Sequence, residues 1–265
     1  MIAKKVLIKI EYKGTRYHGW QRQPDAKTIE GTILSALHTI LRRDISLRVC
    51  SRTDAGVHSK GQIAHFLIPA KTPLQKLFCS VNSLLPEDIT VLDMVEVERD
   101  FSINRENTGK RYIYRINNTP ISKALDNEYY WWIKKRLDIH AMRESASHLV
   151  GTHDFSAFRG KGCLQDSPIK TVQAIRVTES YRSIYRHIEF CVEGSGFLKN
   201  MVRIMVGTCI DITCGRLHPD AIRNALQSGL RTDAGLTAPA KGLILDHISI
   251  KNDPFENRGR DAWNA

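Results

Sequence analysis

The stretch Ser51-Arg52-Thr53-Asp54-Ala55-Gly56-Val57-His58 lies between two short segments, 47–50 and 62–67, whose residues favour β-strands. One carboxylate, Asp54, is therefore expected at a strand-to-strand turn, and loops on a rigid scaffold often carry functional side chains. The same pattern fits an ordinary turn, in which the aspartate binds backbone amides and Gly56 supplies a positive φ. This stretch alone predicts either a functional carboxylate or a structural turn.

The segments around this turn predict a β-α-β-β-α-β order for the first half of the chain. Apolar residues alternate through 5–12, as in a strand with one buried face. Thr28 is placed to cap a helix whose apolar face runs through 29–41. A second helix is expected to begin with Pro73 at its first position, and a strand is expected over 89–97. This is the ferredoxin-like order, an antiparallel sheet with both helices on one face.

The second half predicts the same order again. Its expected elements are a strand at 110–116, a helix capped by Asp138, a hairpin turning at 180–183, helices at 197–212 and 219–228, and a strand at 243–250. We therefore predict an α+β protein of two pseudo-repeated ferredoxin-like halves, residues 1–103 and 104–251, with a polar tail at 252–265. The sheets are expected to join edge to edge, because separate sheets would leave open edges. An active-site cleft is expected between the halves.

Charge indicates the class of partner. The chain has 265 residues, with 39 Lys and Arg against 28 Asp and Glu, which gives a net charge of +11. A positive field of this size favours a polyanion, although a basic protein can also lack such a partner. Hydrophobic residues make up 42% of the chain, which is typical of a soluble globular protein. Since no apolar segment has the length of a signal or a membrane span, a cytoplasmic location without membrane contact is expected.

No signal for a metal or a cofactor stands out. The six cysteines form no Cys-x-x-Cys pair and have no zinc spacing with histidine, which suits a reducing compartment. Gly194-Ser195-Gly196 resembles part of a dinucleotide fingerprint, but Lys199 stands where the third glycine belongs. We therefore expect neither a metal nor a cofactor.

The loop at 14–24 mixes basic and aromatic residues with two glycines. Guanidinium groups and aromatic rings are the side chains that contact phosphates and stack on bases in RNA complexes. Trp20 could equally pack down as a lid on the core. Both interpretations stand at this point.

Arg203 lies inside the apolar run Met201–Gly207. A buried guanidinium needs a carboxylate or an anionic ligand, because burying it unpaired costs several kcal/mol or more. The position predicts an arginine directed at a catalytic carboxylate, a structural ion pair, or a side chain that reaches solvent.

Three stretches resemble the motifs of the TruA-type tRNA pseudouridine synthases. They are Arg52-Thr53-Asp54-Ala55-Gly56-Val57-His58, Lys110-Arg111-Tyr112-Ile113-Tyr114 and Met201-Val202-Arg203-Ile204-Met205-Val206-Gly207-Thr208. Shorter matches, such as Ala240-Lys241-Gly242-Leu243, extend the resemblance from residue 4 to about residue 250. Ser51 departs from the glycine that many members carry before the arginine, and Ile244 replaces a bulkier expected residue.

The resemblance implies a catalytic role for three residues. Asp54 would be the nucleophile, Tyr112 would meet the target uracil, and Arg203 would pair with Asp54. The residues expected to bind substrate are Tyr112, Arg52, Leu243, His58, Lys110 and Arg111. The resemblance also implies a homodimer, tRNA bound across both subunits, the uridines at tRNA positions 38–40 as substrates, and no cofactor.

Two other functions remain open from the residues alone. A non-catalytic RNA-binding protein of two sheet-and-helix modules would share the charge and the aromatic strands, but it has no need of an Asp54–Arg203 pair. A glycosidase-like nucleoside enzyme would need a second carboxylate as a general acid, and none is adjacent to Asp54 in sequence. The route by which a carboxylate acts is also open: attack on the sugar, attack on the base, or removal of a ribose proton.

Overall fold

The computed structural model describes residues 3–256, which contain ten β-strands and six α-helices in a mixed α+β arrangement. The chain divides into two units. Unit 1 comprises the residues up to Thr108 together with those from His247 onward, and unit 2 comprises Gly109–Asp246. Residues 257–265 of the predicted polar tail lie outside the described residues. The α+β class is confirmed, and the ferredoxin-like repeat and the edge-to-edge joining of the two sheets stay predictions.

Unit 1 has the predicted order of elements. They are β1 (Ala3–Tyr12), α1 (Ile29–Leu41), β2 (Arg48–Val49), β3 (His58–Pro69), α2 (Leu74–Leu84), β4 (Ile89–Val97) and α3 (Ile103–Glu106). The strands lie side by side as β4-β1-β3, with β2 on β3, and every one of these pairs is antiparallel. The pairing of β1 with β3 runs from Ala3 opposite Pro69 to Tyr12 opposite Ser59.

Local signals explain the helices of unit 1. The Thr28 side chain accepts a hydrogen bond from the Gly31 amide at 3.2 Å, so the predicted cap of α1 is confirmed. Pro73 was predicted at the first helical position, but it precedes α2 in an extended conformation with ψ 119°. A proline φ suits both conformations, so the residue type could not separate them. The core contains Val6, Ile8, Ile10, Trp20, Ile29, Ile33, Leu37, Phe66, Leu77 and Val91.

Unit 2 is built on four antiparallel strands. Its elements are β5 (Asn107–Asn117), β6 (Trp131–Trp132), α4 (Ile139–Ser147), β7 (Gly151–Asp154), β8 (Ile169–Arg182), β9 (Tyr185–Gly194), α5 (Met201–Thr213), α6 (Ala221–Ser228) and β10 (Leu243–Ile250). The strand path is β5-β9-β8-β7, with β6 parallel to β5. Helix α5 is buried along all of its length except Arg203 and Thr213.

Caps and turns set several boundaries in unit 2. Asp138 caps α4 by accepting hydrogen bonds from the amides of His140 and Ala141, as predicted. Gly229 ends α6 in the left-handed region with φ 68°. The helix predicted from residue 197 begins instead at Met201, because Asn200 adopts φ 61° and ψ 2° and separates the preceding turn from the helix.

The division between the units differs from the predicted one. The sequence placed it after residue 103 and kept the last strand in the second half. In the structure β5 begins in unit 1, and β10 contributes residues to both units. Hydrogen bonds hold the end of β10 in unit 1: the Thr108 hydroxyl donates to the Ser249 carbonyl at 3.2 Å, and the Lys251 amide donates to the Glu106 carbonyl at 2.9 Å.

Two properties of residues 3–256 bear on the earlier expectations. None of their helices combines the length and the apolar character that crossing a bilayer requires. Across the same residues, no group of three or more His, Cys, Asp or Glu side chains is arranged to hold a metal ion. All six cysteines are free thiols.

Candidate active site

Asp54 lies in the connection between β2 and β3, where Ala55 and Gly56 form a turn. Gly56 has φ 78°, which confirms the predicted positive φ, and the Val57 amide donates to the Asp54 carbonyl at 3.2 Å. Asp54 is half-buried, between a buried Thr53 and an exposed Ala55. The residues that flank the turn, Thr53 and Val57, are therefore buried, while Asp54 between them lies nearer to the surface. Arg52, a predicted substrate-binding residue, is exposed on the same stretch.

Two buried polar residues, Tyr12 and Gln62, form hydrogen bonds with the segment that contains Asp54. The hydroxyls of Tyr12 and Thr53 are 2.7 Å apart, and the Gln62 amide nitrogen donates to the Ser51 carbonyl at 2.6 Å. Tyr12 is the last residue of β1, and Gln62 is a fully buried residue of β3. Two strands therefore hold the residues on either side of Arg52. The sequence pattern did not predict this role for either residue, although a polar side chain at an inward position of a strand is a signal for it.

Tyr12 gives this support a pH dependence. Burial raises its pKa to about 12, while hydrogen bonds to Thr53, Gln62 and Ser59 lower it in part. A raised folded-state pKa means that the unfolded chain releases the proton first, at about pH 10. The stabilisation is therefore complete below pH 10 and is lost as the pH rises towards 12.

We expect Tyr12→Phe to remove an alkaline loss of stability on the order of 2 kcal/mol between pH 9 and pH 11.5, the part of a shift of about two pKa units that falls within this interval. Urea unfolding at pH 9 and at pH 11.5 would measure it as the difference between the wild type and the variant. Tyr181→Phe, at an exposed position on β8, is the control and should keep the wild-type pH dependence. Equal alkaline losses in the wild type and in Tyr12→Phe would contradict the assignment.

The loop at residues 13–20 supports the turn from another side. The Trp20 amide donates to the Thr53 carbonyl at 3.1 Å, and the Gly56 amide donates to the Tyr17 carbonyl at 3.2 Å. Gly14 packs so close that a Cβ there would lie 2.0 Å from the Val57 carbonyl oxygen. Trp20 itself is 1% exposed and belongs to the core. The sequence allowed Trp20 either to contact RNA or to pack onto the core, and the structure shows that it packs onto the core.

His58 is the predicted substrate-binding residue that the structure places deepest in unit 1. It is buried at the start of β3, and its Nδ1 accepts a hydrogen bond from the Gly14 amide at 3.2 Å. A ring nitrogen that accepts a hydrogen bond carries no proton. Through this contact His58 helps to position the loop at residues 13–20.

Arg203 occupies the first turn of α5 in unit 2. Its Nε donates to the Ala238 carbonyl at 2.7 Å, and its Nη1 donates to Asn200 Oδ1 at 2.9 Å. Both acceptors are uncharged, so they orient the guanidinium without neutralising it. The sequence left open how far this side chain is buried, and in the structure it is half-buried although its neighbours on the helix are buried.

Helix α5 also holds the segment that contains Ala238. The Gly235 amide donates to the Thr208 hydroxyl at 2.9 Å, and the Leu236 amide donates to Asp211 Oδ2 at 2.9 Å. Gly207 permits this approach, because a Cβ there would lie 1.9 Å from the Leu236 carbonyl oxygen. The residues that follow Arg203 in its motif therefore have a structural role. They position the segment whose Ala238 carbonyl orients the guanidinium.

Tyr112 and Tyr114 share one face of β5. Tyr112 is buried and its ring meets that of Phe197 edge to face, with centroids 5.3 Å apart. The Tyr114 hydroxyl donates to the Pro239 carbonyl at 2.7 Å. Burial raises the pKa of Tyr114, and the positive charge of Arg203 lowers it in part, so the phenol is neutral at pH 7. The Tyr114 ring, its hydroxyl and Arg203 therefore meet in one part of unit 2.

The other predicted substrate-binding residues of unit 2 occupy different settings. Leu243 is buried as the first residue of β10, and Lys110 is half-buried on β5. Arg111 forms an ion pair with Asp246, with 2.7 Å between Nε and Oδ2, and this pairing raises the pKa of the guanidinium. The predicted site residues are thus divided between the two units. Unit 1 contains Asp54, Arg52 and His58, and unit 2 contains Arg203, Tyr112, Lys110, Arg111 and Leu243. The pairing of Asp54 with Arg203 stays a prediction.

Comparison with known proteins identifies close relatives of the chain. Residues 145–249 match a family model described as tRNA pseudouridine synthase. A tRNA pseudouridine synthase A from Myxococcus xanthus is 38% identical over 250 residues, which cover 94% of this chain and 93% of that protein. Proteins of the same name from Ruminiclostridium cellulolyticum and Thermoanaerobacter pseudethanolicus are each 40% identical over 245 residues, which cover 92% of this chain and 99% of theirs.

Proposed function

Because this chain belongs to the tRNA pseudouridine synthase A family, we propose that it converts uridine to pseudouridine in tRNA, at positions 38, 39 and 40 of the anticodon stem-loop. In this proposal Asp54 is the catalytic residue. The observation that carries it is the construction of the Asp54 turn, which β1, β3 and the loop at 13–20 hold through at least four hydrogen bonds. Such support is what a residue needs if it must keep one geometry during a reaction.

The reaction is an isomerisation in which nothing is added or lost overall. The bond between N1 of the uracil and C1′ of the ribose breaks, the base turns, and C5 bonds to C1′. The C5 proton leaves, and N1 gains a proton. An ionised carboxylate at Asp54 could attack the sugar, attack the base or remove a ribose proton, and all three routes require its negative charge.

Arg203 is proposed as the partner of that charge. A guanidinium beside a carboxylate keeps it ionised and, through paired hydrogen bonds, directs it. The contacts of Arg203 with the Ala238 carbonyl and with Asn200 Oδ1 support this role, because they hold the guanidinium in one orientation.

Tyr112 is proposed to meet the target uracil. Its edge-to-face contact with Phe197 limits the rotation of its ring, which suits a surface for stacking a base. The target base must leave the helical stack to reach any of these groups. Arg52, which is exposed next to the Asp54 turn, is proposed to fill the gap that the base leaves or to hold the RNA backbone.

Phosphate contacts are proposed to supply most of the affinity. Arg52 and the Lys134-Lys135-Arg136 cluster are exposed. Arg111, by contrast, already pairs with Asp246, so we expect it to contribute less to phosphate binding than the exposed cations. The homodimer and the cytoplasmic location stay predictions, resting respectively on the resemblance and on composition.

The affinity for tRNA should fall steeply with salt. The logarithm of the association constant should decline linearly with the logarithm of salt concentration, with a slope of about −0.7 to −0.9 per neutralised phosphate. Lys134→Gln combined with Arg136→Gln should make this slope shallower by up to about two such units. Lys4→Gln, which removes a lysine already paired with Glu96 at 3.2 Å, is the control. Filter binding over a salt series measures the slopes for the wild type and the variants. An association constant of the wild type that does not change with salt would contradict phosphate-dominated binding.

One experiment tests the proposed function directly. Purified protein is incubated with anticodon stem-loop RNAs that carry a single C5-tritiated uridine at position 38, 39 or 40, and release of tritium is measured. A matched RNA with its only labelled uridine elsewhere in the stem is the control. Release from the first three RNAs alone supports the proposal. Binding without release from any RNA would favour the non-catalytic RNA-binding function.

A further inference from the structure

Asp88, the residue immediately before β4, carries a buried carboxylate that the proposed mechanism does not use. Its side chain is only 3% exposed. The Tyr17 hydroxyl donates to Oδ1 at 2.6 Å, and Arg16 donates to Oδ2 through Nε at 2.9 Å and approaches it through Nη2 at 2.8 Å. The backbone carbonyl of Asp88 also accepts a hydrogen bond from the Lys13 amide at 2.9 Å. One residue thus holds the loop at 13–17 at both ends.

Among the described residues, only this loop supplies donors that compensate the Asp88 carboxylate, through Tyr17 and Arg16. A buried carboxylate is tolerated when hydrogen bonds and an opposite charge satisfy it. Burial, and after it the hydrogen bond to Asp88, raises the pKa of Tyr17, so its hydroxyl keeps the proton that it donates. Arg16, although exposed, has its pKa raised by the hydrogen bond to Asp88.

The loop that Asp88 holds is the one that contacts the Asp54 turn. Its contacts are the Gly14 amide to His58 Nδ1, the Gly56 amide to the Tyr17 carbonyl, and the Trp20 amide to the Thr53 carbonyl. Gly19, at φ 89°, permits the last contact, because a Cβ there would lie 2.7 Å from the Thr53 carbonyl oxygen. Tyr17 therefore connects the two systems directly: its hydroxyl binds Asp88, and its carbonyl binds the turn.

We propose that Asp88 is a positioning residue for the reaction. Through Arg16 and Tyr17 it fixes the loop at 13–20, and the loop fixes the backbone on both sides of Asp54. This inference rests on the proposed role of Asp54. It assigns to the buried carboxylate a task beyond folding, since its bonds end on the segment that orients the catalytic side chain.

The test uses Asp88→Asn, Tyr17→Phe and the double variant. Asparagine keeps the shape of the side chain but loses its charge, and phenylalanine loses only the hydroxyl. We expect each single variant to lower the single-turnover rate about 10-fold, with the tRNA dissociation constant within about 2-fold of the wild type. The double variant should be little slower than either single one, because both changes break the same connection. Asp88→Glu should recover part of the rate.

A structural control separates positioning from stability. Asn82 lies in the same unit and joins α2 to β4, through hydrogen bonds of 2.9 and 3.0 Å with the amide and carbonyl of Val91. Asn82→Ala should lower the thermal midpoint without lowering the single-turnover rate at a temperature where the protein is folded. If Asn82→Ala slows the reaction as much as Asp88→Asn, or if Asp88→Asn keeps the wild-type rate, the positioning role is overturned.

Amide hydrogen exchange gives a readout that does not depend on activity. The amides of Trp20 and Gly56 bond across the contact between the loop and the turn. They should exchange at least about 10-fold faster in Asp88→Asn and at the wild-type rate in Asn82→Ala. Unchanged exchange in Asp88→Asn would overturn the inference even if the proposed function holds. Turnover by an Asp54→Asn variant would instead contradict the proposed function, and the exchange result would still report on the loop.

Discussion

Asp54→Asn is expected to reduce pseudouridine formation below detection, by at least ~10³-fold, as when a covalent catalyst is removed. Asparagine has nearly the shape of aspartate but neither its charge nor its nucleophilicity. The hydrogen bonds that form the turn use Thr53, Ser51, Gly56 and the Asp54 backbone carbonyl. These bonds survive the substitution, so the loss should be one of chemistry and not of shape.

The measurement is a tritium-release assay on uracil-labelled tRNA, with a filter-binding titration of the same variant. The tRNA dissociation constant should stay within about 2-fold, because phosphate contacts dominate the affinity. The thermal midpoint should match the wild type or rise, as when a residue is kept for function. Asp44→Asn, the same chemical change at a fully exposed position, is the matched control and should retain full activity. Substantial turnover by Asp54→Asn would refute the catalytic role of Asp54. If the variant does not fold, Asp54 is needed for the structure of the turn instead.

Arg203→Leu is expected to lower kcat/KM by about 10²- to 10³-fold, the range seen when a charge-stabilising donor is removed from an active site. Leucine suits the apolar surroundings of α5, so the helix should form. The Ala238 carbonyl would lose its donor, which we expect to cost about 1–3 kcal/mol of stability. Arg203→Lys should remain poor, because an ammonium group cannot reproduce two fixed contacts to Ala238 and Asn200 while pairing with a carboxylate.

The control for Arg203 is another helical arginine of unit 2. Arg223 on α6 pairs with Asp220 at 2.8 Å, and Arg223→Leu should leave kcat/KM unchanged. Steady-state kinetics on one tRNA substrate, with unfolding curves for all three variants, would measure these effects. A folded Arg203→Leu variant with near wild-type kcat/KM would exclude Arg203 from the mechanism.

Local patterns in the sequence were enough to locate most of the regular elements. The cap of α1 at Thr28, the cap of α4 at Asp138, the end of α6 at Gly229 and the strand at 243–250 all occur where the sequence predicted them. Each depends on a signal within a few residues: a side-chain acceptor beside free amides, a glycine in the left-handed region, or a short apolar run that favours a strand. The very short strands β6 and β7 were missed, because two to four residues carry no periodicity.

The sequence also singled out Asp54 and Arg203 through local residue patterns, whereas resemblance to motifs supplied the expected roles of Asp54, Tyr112 and Arg203. It placed Asp54 on a turn with a positive φ at Gly56, which the structure confirms. It could not decide between a functional carboxylate and an ordinary turn, since both have the same local residues. It placed Arg203 in an apolar helix, but the position of that side chain depends on contacts with residues distant in the chain, such as Ala238.

What only the tertiary structure decided is how the turn is held. Tyr12 and Thr53 are 41 positions apart in the chain, and Tyr17 and Asp88 are 71 apart. No local pattern encodes such pairs, because their energy exists only once the strands have brought the residues together. Gly14 shows the same limit: in sequence it is a loop glycine, and only the 2.0 Å separation of a hypothetical Cβ from Val57 explains why a larger residue would displace the turn. Local propensity therefore determined where the elements form, whereas long-range contacts determined the direction in which the Asp54 turn is held.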